Sequence, residues 1–292
     1  MRVLLTGATG LIGRQCIAPL RAAGHHVIAL SRRPTDADET ITTDLLDPAQ
    51  VDAAIAQARA EAVLHLAWYD GPDRWSSNAN LDWAAATLRL VKSFAEAGGK
   101  RIVAVGSCAE YDWSRPVLTE ATPLKPASLY GSAKASAAIA LTGAAPALNL
   151  SLAWARIFFC YGPGEPKGRL LGDLIKGLTK GETVDCTDGL QERDFLHTAD
   201  IGRALVAILD SDVSGAINIG SGEPTPVREI IETVARQMGR PNLIRLGARP
   251  RPETDPPRII ADVERLRRDV GFSPRISLED GIAAVLAEDA PQ

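Results

Sequence analysis

A glycine-rich turn directly after the first apolar segment constrains the fold more than any other feature of this sequence. Residues 2–6 are a short apolar run suited to a buried parallel strand, and a helix-like stretch carrying Ile17 and Leu20 follows the turn. Glycine triplets also occur in ordinary turns. Between a strand and a helix, however, they remove the β-carbons that would hold a pyrophosphate away from the helix N-terminus. The order predicts a dinucleotide-binding unit, with predicted contacts at Gly7, Gly10, Leu11, Ile12 and Gly13.

The alternation of strand-like and helix-like segments predicts the fold class. From residue 1 to about residue 160 the pattern is typical of a doubly wound parallel sheet. We expect residues 1–160 to form a dinucleotide-binding domain, with 197–220 returning to it, and residues 161–292 to form mainly a substrate-binding domain. In this second part the sequence predicts a helix over 169–180, a strand over 190–196, a helix over 199–209, a strand over 217–219, and helices near 262–270 and 278–287.

Composition excludes several classes of protein. A chain of 292 residues with 46% hydrophobic content can bury a large core, and its net charge of −4 argues against a nucleic-acid partner. The four cysteines and four histidines lack the spacing of a metal site or a disulfide framework. The apolar stretch 135–155 is broken by glycine, proline and asparagine, so no membrane span is expected. Since no basic leader precedes the first strand, a cytoplasmic location is expected.

The end of the second predicted strand bears on cofactor choice. Residues 26–30 lead into Ser31, Arg32 and Arg33, and no acid stands there. An acid at this point usually binds the ribose hydroxyls of NAD, whereas arginine accommodates the 2′-phosphate of NADP. The sequence therefore favours NADP(H), with NAD(H) as the alternative. The two arginines are also consistent with a solvated basic loop that binds no cofactor phosphate.

Two further segments are expected to contact the cofactor. Asp44 is suited to accept a hydrogen bond from the adenine amino group, and Leu45 lies next to it in the chain. His65 and Ala67 end a third buried strand and should lie beside the dinucleotide. His65 is equally consistent with a histidine packed in the core.

A tyrosine and a lysine four residues apart carry the predicted chemistry. Tyr130 and Lys134 share one face of a helix because positions i and i+4 are neighbours there. A free phenol titrates near ~10, and a neighbouring ammonium should lower that pKa. Ser107 follows the apolar strand 101–106 and should face the same crevice. We expect Ser107 to bind the substrate oxygen, Tyr130 to exchange its proton, and Lys134 to hold the phenol and the nicotinamide ribose.

With these residues the sequence resembles the extended short-chain dehydrogenase/reductase family, in its nucleotide-sugar epimerase/dehydratase/reductase branch. The resemblance covers nearly the whole chain. It rests on the segments 6–13, 65–67, 107–111, 130–134, 156–164, 191–195, 199–200 and 218–222. It implies a Rossmann-type sheet with a smaller interleaved α+β substrate-binding region, and a catalytic triad of Ser107, Tyr130 and Lys134. It also implies a nucleotide-sugar substrate and a homodimer formed through the helices at 80–98 and around Tyr130.

Departures from the family pattern narrow the chemistry. Dehydratases of this family place Asp-Glu after the catalytic Ser/Thr, whereas Cys108 and Ala109 stand here, which argues against elimination of water. The expected substrate contacts are Ser107, Cys108, Tyr130, Arg193 and Arg258; Cys108 is also consistent with core filling, and Arg193 fits a diphosphate.

The sequence therefore predicts NADPH-dependent reduction of a nucleotide-linked 4-keto sugar. A nucleotide-sugar 4-epimerase using the same groups stays open, as does a nonenzymatic dinucleotide-binding sensor. Retention of Ser107, Tyr130 and Lys134 together counts against the sensor.

Overall fold

The structure, a computed structural model, describes residues 1–165 and 168–288. Its strands are β1 (Arg2–Thr6), β2 (His26–Ser31), β3 (Glu39–Thr42), β4 (Ala62–His65), β5 (Arg101–Ser107), β6 (Val117–Leu118), β7 (Ser151–Ile157), β8 (Phe159–Tyr161), β9 (Val184–Asp185), β10 (Glu192–Arg193), β11 (Phe195–His197), β12 (Gly215–Ile219), β13 (Thr225–Pro226), β14 (Ile244–Arg245) and β15 (Arg258–Ala261). Its helices are α1 (Arg14–Ala22), α2 (Pro48–Ala58), α3 (Ala79–Glu96), α4 (Leu129–Ala144), α5 (Leu170–Thr179), α6 (Thr198–Asp210), α7 (Val227–Gln237), α8 (Glu264–Val270) and α9 (Leu278–Glu288).

A seven-stranded parallel sheet forms the centre of the molecule. Its strand order is β12-β7-β5-β4-β1-β2-β3, so the order reverses between β1 and β4. Successive side chains of a strand point to opposite faces. Val3 and Leu5 accordingly pack into one hydrophobic core with α1 and α6, while Leu4 packs into another with α2, α3 and α4. Helices on both faces of a parallel sheet define the doubly wound architecture that the alternation predicted.

A smaller region is built mainly from the residues that follow β7, and β6 joins it from the first half of the chain. A four-stranded sheet in the order β13-β10-β15-β6 mixes parallel and antiparallel pairs. Two parallel pairs, β11 with β8 and β14 with β9, complete the strands. Helices α5, α7 and α9 share a third hydrophobic core in this region. Meanwhile β12 pairs with β7 in the large sheet, so the chain returns to it late in the sequence.

The strand predicted over 190–196 is broken at Asp194, which corrects that expectation. β10 and β11 flank Asp194 and pair with different sheets. The buried Asp194 carboxylate accepts hydrogen bonds from the backbone amides of Ser221, Gly222 and Ala261. A buried carboxylate requires such donors, and collecting them turns the chain between the two sheets.

No helix within the described residues has the length and apolar character needed to cross a membrane.

Candidate functional site

A cavity of about 450 Å³ lies at the carboxyl ends of β1, β4, β5 and β7. In doubly wound sheets ligands bind at this edge, where the strand order reverses. Segments from both the large sheet and the smaller region line the cavity. The lining brings together ten of the predicted site residues: Gly7, Gly10, Leu11, Ile12, Gly13, Ala67, Ser107, Cys108, Tyr130 and Lys134.

The glycine turn (residues 7–13) fits a dinucleotide because larger residues cannot adopt its backbone. Gly7 has a φ of +74°, in the left-handed region, and a β-carbon there would lie 2.9 Å from the Ala67 amide nitrogen. A β-carbon on Gly13 would overlap the carbonyl of Gly7. The turn leads directly into α1, whose N-terminal amides and dipole favour an anion. These residues are therefore suited to hold a pyrophosphate.

Ser107 and Tyr130, the two hydroxyl residues that are predicted to act in catalysis, line the same cavity because α4 approaches the end of β5 closely. Ser128 caps α4 by accepting from the Gly131 amide at 3.1 Å, and a β-carbon on Gly131 would overlap the carbonyl of Ala109. Glycine at this position lets the first turn of α4 pack against the short 3-10 helix that begins after Ser107. The Ser107 hydroxyl acts on the Tyr130 phenol as well, because it tends to lower the pKa of that group.

The pKa of Tyr130 depends mainly on burial. Burial raises the pKa of the phenol above its usual value, and the hydrogen bond from Ser107 only partly opposes this. The ammonium of Lys134, which donates to the Val105 carbonyl, is not among the main causes of this shift. The phenol of the free protein therefore keeps its proton at neutral pH. The expected lowering by the ammonium together with the positive oxidised nicotinamide stays a prediction.

Lys134 is buried, with 3% of its surface exposed. Its Nζ donates to the Val105 carbonyl at 2.7 Å and lies 3.8 Å from the centre of the Trp68 ring. Burial lowers the pKa of Lys134 to about 7, and the negative charge of Glu110 partly offsets this effect. At neutral pH the ammonium is thus close to its titration midpoint.

His65 is a core histidine, which corrects its prediction as a cofactor contact. Its Nδ1 hydrogen-bonds Thr6 Oγ1 at 2.7 Å, and its Nε2 hydrogen-bonds Thr87 Oγ1 at 3.0 Å. Burial, together with the charge of Lys134, lowers the pKa of His65 to about 3, so the ring is neutral. With both nitrogens bound inside the protein, the side chain is not free to reach the cavity.

The residues predicted at the adenosine end lie outside the cavity lining. Arg32 and Arg33 are exposed directly after β2, and Ser31 Oγ accepts from the Arg33 amide. The half-buried Asp44 carboxylate accepts from the Leu46 amide at 3.0 Å, and Leu45 is buried. Since β2 is parallel to β1, these residues follow strands that end at the same sheet edge as the glycine turn.

Arg193 and Arg258 are also absent from the lining of the described cavity, and their contact with a substrate stays a prediction. Arg193 is 5% exposed, and its guanidinium forms an ion pair with Asp255 and lies 5.5 Å from the Phe159 ring centre. Arg258 pairs with Glu192 at 3.2 Å. A buried guanidinium needs a counterion, and Asp255, which lies shortly before β15, supplies it.

Arg169 also lines the cavity. It stands at the start of α5, and its guanidinium lies 3.3 Å from Asp70 and 3.6 Å from the Cys160 sulfur. Its buried Nε has no hydrogen-bond partner among the residues that the structure describes. Aromatic side chains complete the lining, among them Trp68, Tyr69, Trp75, Trp113, Phe158, Phe159 and Phe195. In the sequence, the high density of aromatic residues over 68–75 indicates part of this aromatic lining.

Residues 3–220 match the family model described as the NAD dependent epimerase/dehydratase family. A 3-diazoavenalumate denitrifying reductase from Streptomyces sp is 33% identical over 82% of this chain and 83% of that protein. A dTDP-6-deoxy-L-talose 4-dehydrogenase (NAD(P)(+)) from Kitasatospora kifunensis is 30% identical over 96% of this chain and 93% of that protein. The structure of MoeE5 in complex with UDP-glucose and NAD is 31% identical with a TM-score of 0.86, covering 99% of this chain and 98% of that one. This likeness confirms the predicted fold class.

The geometry of the glycine turn predicts the effect of Gly13→Ala. The added methyl group forces the Gly7 carbonyl to move, so we expect dinucleotide binding to weaken about tenfold or more, equal to about 1.4 kcal/mol. Calorimetric titration with NADPH and NADH measures this. Gly143→Ala is the matched control, since a β-carbon at Gly143 in α4 meets no atom within 4 Å. Equal affinities in both variants would contradict the assignment of the turn.

Proposed function

The chain belongs to the NAD dependent epimerase/dehydratase family, and we propose that it reduces the 4-keto group of a nucleotide-linked sugar with NADPH. The observation that carries the proposal is the convergence of Ser107, Tyr130 and Lys134 with the glycine turn around one cavity. These groups come from three separate parts of the chain, so their convergence depends on the fold.

The chain's own residues supply the proton and the orientation. The bound dinucleotide supplies the hydride that reaches the carbonyl carbon. Tyr130 donates its phenolic proton to the carbonyl oxygen, which becomes a hydroxyl, and water restores the proton afterwards. Ser107 donates a hydrogen bond to the same oxygen and so stabilises the charge that develops there. Lys134 in its charged form stabilises the phenolate that the transfer leaves behind.

Two observations favour net reduction over epimerisation. Epimerisation starts with oxidation of the substrate, for which Tyr130 must act as a base. Burial raises the pKa of that phenol and so disfavours the phenolate that acts as the base. Three curated relatives that are 30% identical or more carry the names of two reductases and one dehydrogenase. The 4-epimerase remains the second candidate because the same three groups serve it.

Support for NADPH comes from the charge beside the adenosine end. Arg32 and Arg33 are exposed after β2, where a carboxylate would otherwise bind the ribose hydroxyls of NAD. Guanidinium groups bind a phosphate through paired N–H donors. Two neighbouring arginines are therefore suited to the 2′-phosphate of NADPH.

Arg169 is our candidate for binding the substrate diphosphate. It lines the cavity with a buried, unpaired Nε among the described residues, whereas Arg193 is already neutralised by Asp255. The side chain of its partner Asp70 is half exposed, so an entering anion can replace it at the guanidinium. We place the diphosphate beside the guanidinium of Arg169, the residue that directly precedes α5.

Incubating the purified protein with nucleotide-linked 4-keto sugars and NADPH tests the function. Stoichiometric oxidation of NADPH with formation of the hydroxy sugar supports the reductase. Interconversion of two nucleotide sugars without net cofactor consumption supports the epimerase and contradicts the reductase.

Tyr130→Phe should remove the chemistry and spare the binding. Loss of the acid is expected to lower kcat by about 10²- to 10⁴-fold. The Kd for NADPH should stay within about twofold, because the ring and its contact with Trp75 at 5.4 Å remain. Steady-state rates and calorimetry measure the two effects. Unchanged turnover would remove Tyr130 from the reaction.

The cofactor proposal predicts a selective effect of replacing Arg32 and Arg33 together by alanine. We expect kcat/KM for NADPH to fall about 10- to 100-fold, which corresponds to about 1.4–2.7 kcal/mol of charge-assisted hydrogen bonding. The value for NADH should change little, and it serves as the internal control. An equal loss with both cofactors would argue against a 2′-phosphate site.

Arg169→Gln should weaken substrate binding more than turnover. Loss of a charge-assisted contact worth about 1.5–3 kcal/mol raises KM for the nucleotide sugar about 10- to 100-fold. Arg258→Gln is the control, because Arg258 pairs with Glu192 outside the cavity lining. If Arg258→Gln raised KM and Arg169→Gln did not, the anionic site would be assigned to the wrong arginine.

A further inference from the structure

The aromatic loop (residues 66–77) connects β4 to α3 and contacts both catalytic residues of α4. The indole of Trp68 lies against the ammonium of Lys134, with Nζ 3.8 Å from the ring centre. The ring of Trp75 meets the ring of Tyr130 edge to face, with centres 5.4 Å apart. The Trp75 carbonyl also accepts from the Tyr130 amide at 3.3 Å. One loop therefore supports the lysine and the tyrosine together.

The buried Asn80 fixes this loop from behind. Its side-chain oxygen accepts from Trp68 Nε1 at 2.9 Å. Its amide nitrogen donates to the carbonyls of Arg74 and Ser77, at 2.7 and 2.9 Å. Since every one of these bonds is made inside the protein, the indole plane of Trp68 is held in one orientation.

Lys134 depends on the indole because its other support is small. Among its described contacts, one hydrogen bond joins Nζ to the Val105 carbonyl, and no carboxylate forms an ion pair with it. The face of an indole carries negative electrostatic potential and attracts a cation, more strongly when the pair is removed from water. The ammonium here is almost fully buried.

We propose that Trp68, held by Asn80, is a positioning residue for Lys134. The indole face of Trp68 keeps the ammonium of Lys134 charged and directed into the cavity. The proposal rests on the proposed function for its effect on catalysis. The placement of Lys134 itself does not depend on which sugar the enzyme uses.

The sign of the effect follows from the groups that face Lys134. Burial lowers its pKa to about 7, Glu110 raises it, and the neutral His65 and the protonated Tyr130 add no charge at neutral pH. Loss of the indole face disfavours the ammonium further. The charged form of Lys134 should then disappear at a lower pH as the pH rises, and catalysis that needs this charge should fail at that lower pH too.

Trp68→Leu tests the proposal with a direct titration of Lys134. We expect its pKa, followed by NMR of protein labelled with ¹³C at lysine Cε, to fall by roughly 0.4 to 1.5 units. The signal is assigned with Lys134→Met. The alkaline limit of kcat should move to lower pH by a similar amount. Trp68→Phe keeps an aromatic face but loses the hydrogen bond to Asn80, so the pKa of Lys134 should fall less in this variant than in Trp68→Leu.

Trp83→Leu is the matched control, since Trp83 of α3 packs against the hydrophobic core and makes no described contact with Lys134. It should lower the melting temperature without moving the lysine titration. A Lys134 pKa in folded Trp68→Leu that is unchanged or higher overturns the proposal. The titration of Lys134 needs no substrate. A protein that reduces none of the sugars tested would therefore contradict the proposed function, while the pKa of Lys134 would still test the role of Trp68.

Discussion

The buried carboxylate of Glu110 is the interaction on which the catalytic geometry depends. It is fully buried and accepts hydrogen bonds from the Ser107 amide at 2.8 Å, from Trp154 Nε1 at 3.0 Å and from Arg156 Nε at 2.7 Å. Removing one partner of such a buried pair typically costs about 3–5 kcal/mol, since the other charge is left uncompensated. Glu110 thereby joins the end of β5 to β7 and fixes the backbone of Ser107.

Two glycines make room for this arrangement. A β-carbon on Gly106 would overlap the Trp154 indole and lie 2.5 Å from Glu110 Oε1, so the carboxylate could not reach its donors. Gly131 performs the same service for α4, whose first turn rests on the carbonyl of Ala109. The position of Tyr130 near Ser107 therefore depends on the absence of side chains at Gly106 and Gly131. The negative charge of Glu110 also favours the charged form of Lys134.

The sequence predicted those parts of the molecule that local rules determine. Strand and helix periodicity, the glycine turn and the i, i+4 pair of Tyr130 and Lys134 depend on neighbours in the chain, and the structure has the corresponding elements. The neutralisation of Arg193 depends on Asp255, 62 residues away, and no local pattern indicates that pairing. His65 was ambiguous for the same reason, because its partners Thr6 and Thr87 belong to distant segments. The sequence thus indicated many of the residues that line the cavity, but it could not indicate which of the predicted side chains already have partners inside the protein.

Burial shifts the pKa values of the two titratable groups of α4 in opposite directions, and this sets the protonation that each group favours. It raises the pKa of the Tyr130 phenol and lowers that of Lys134 to about 7, because in each case it disfavours the charged form. Oxidation of an alcohol requires a phenolate, which here is costly before any ligand has bound. Reduction of a ketone requires a neutral phenol with a proton to give, and that is the resting state. A ligand that brings positive charge to the cavity favours the phenolate and so changes this balance. The protonation of the pair therefore depends on the charge of the cofactor as well as on burial.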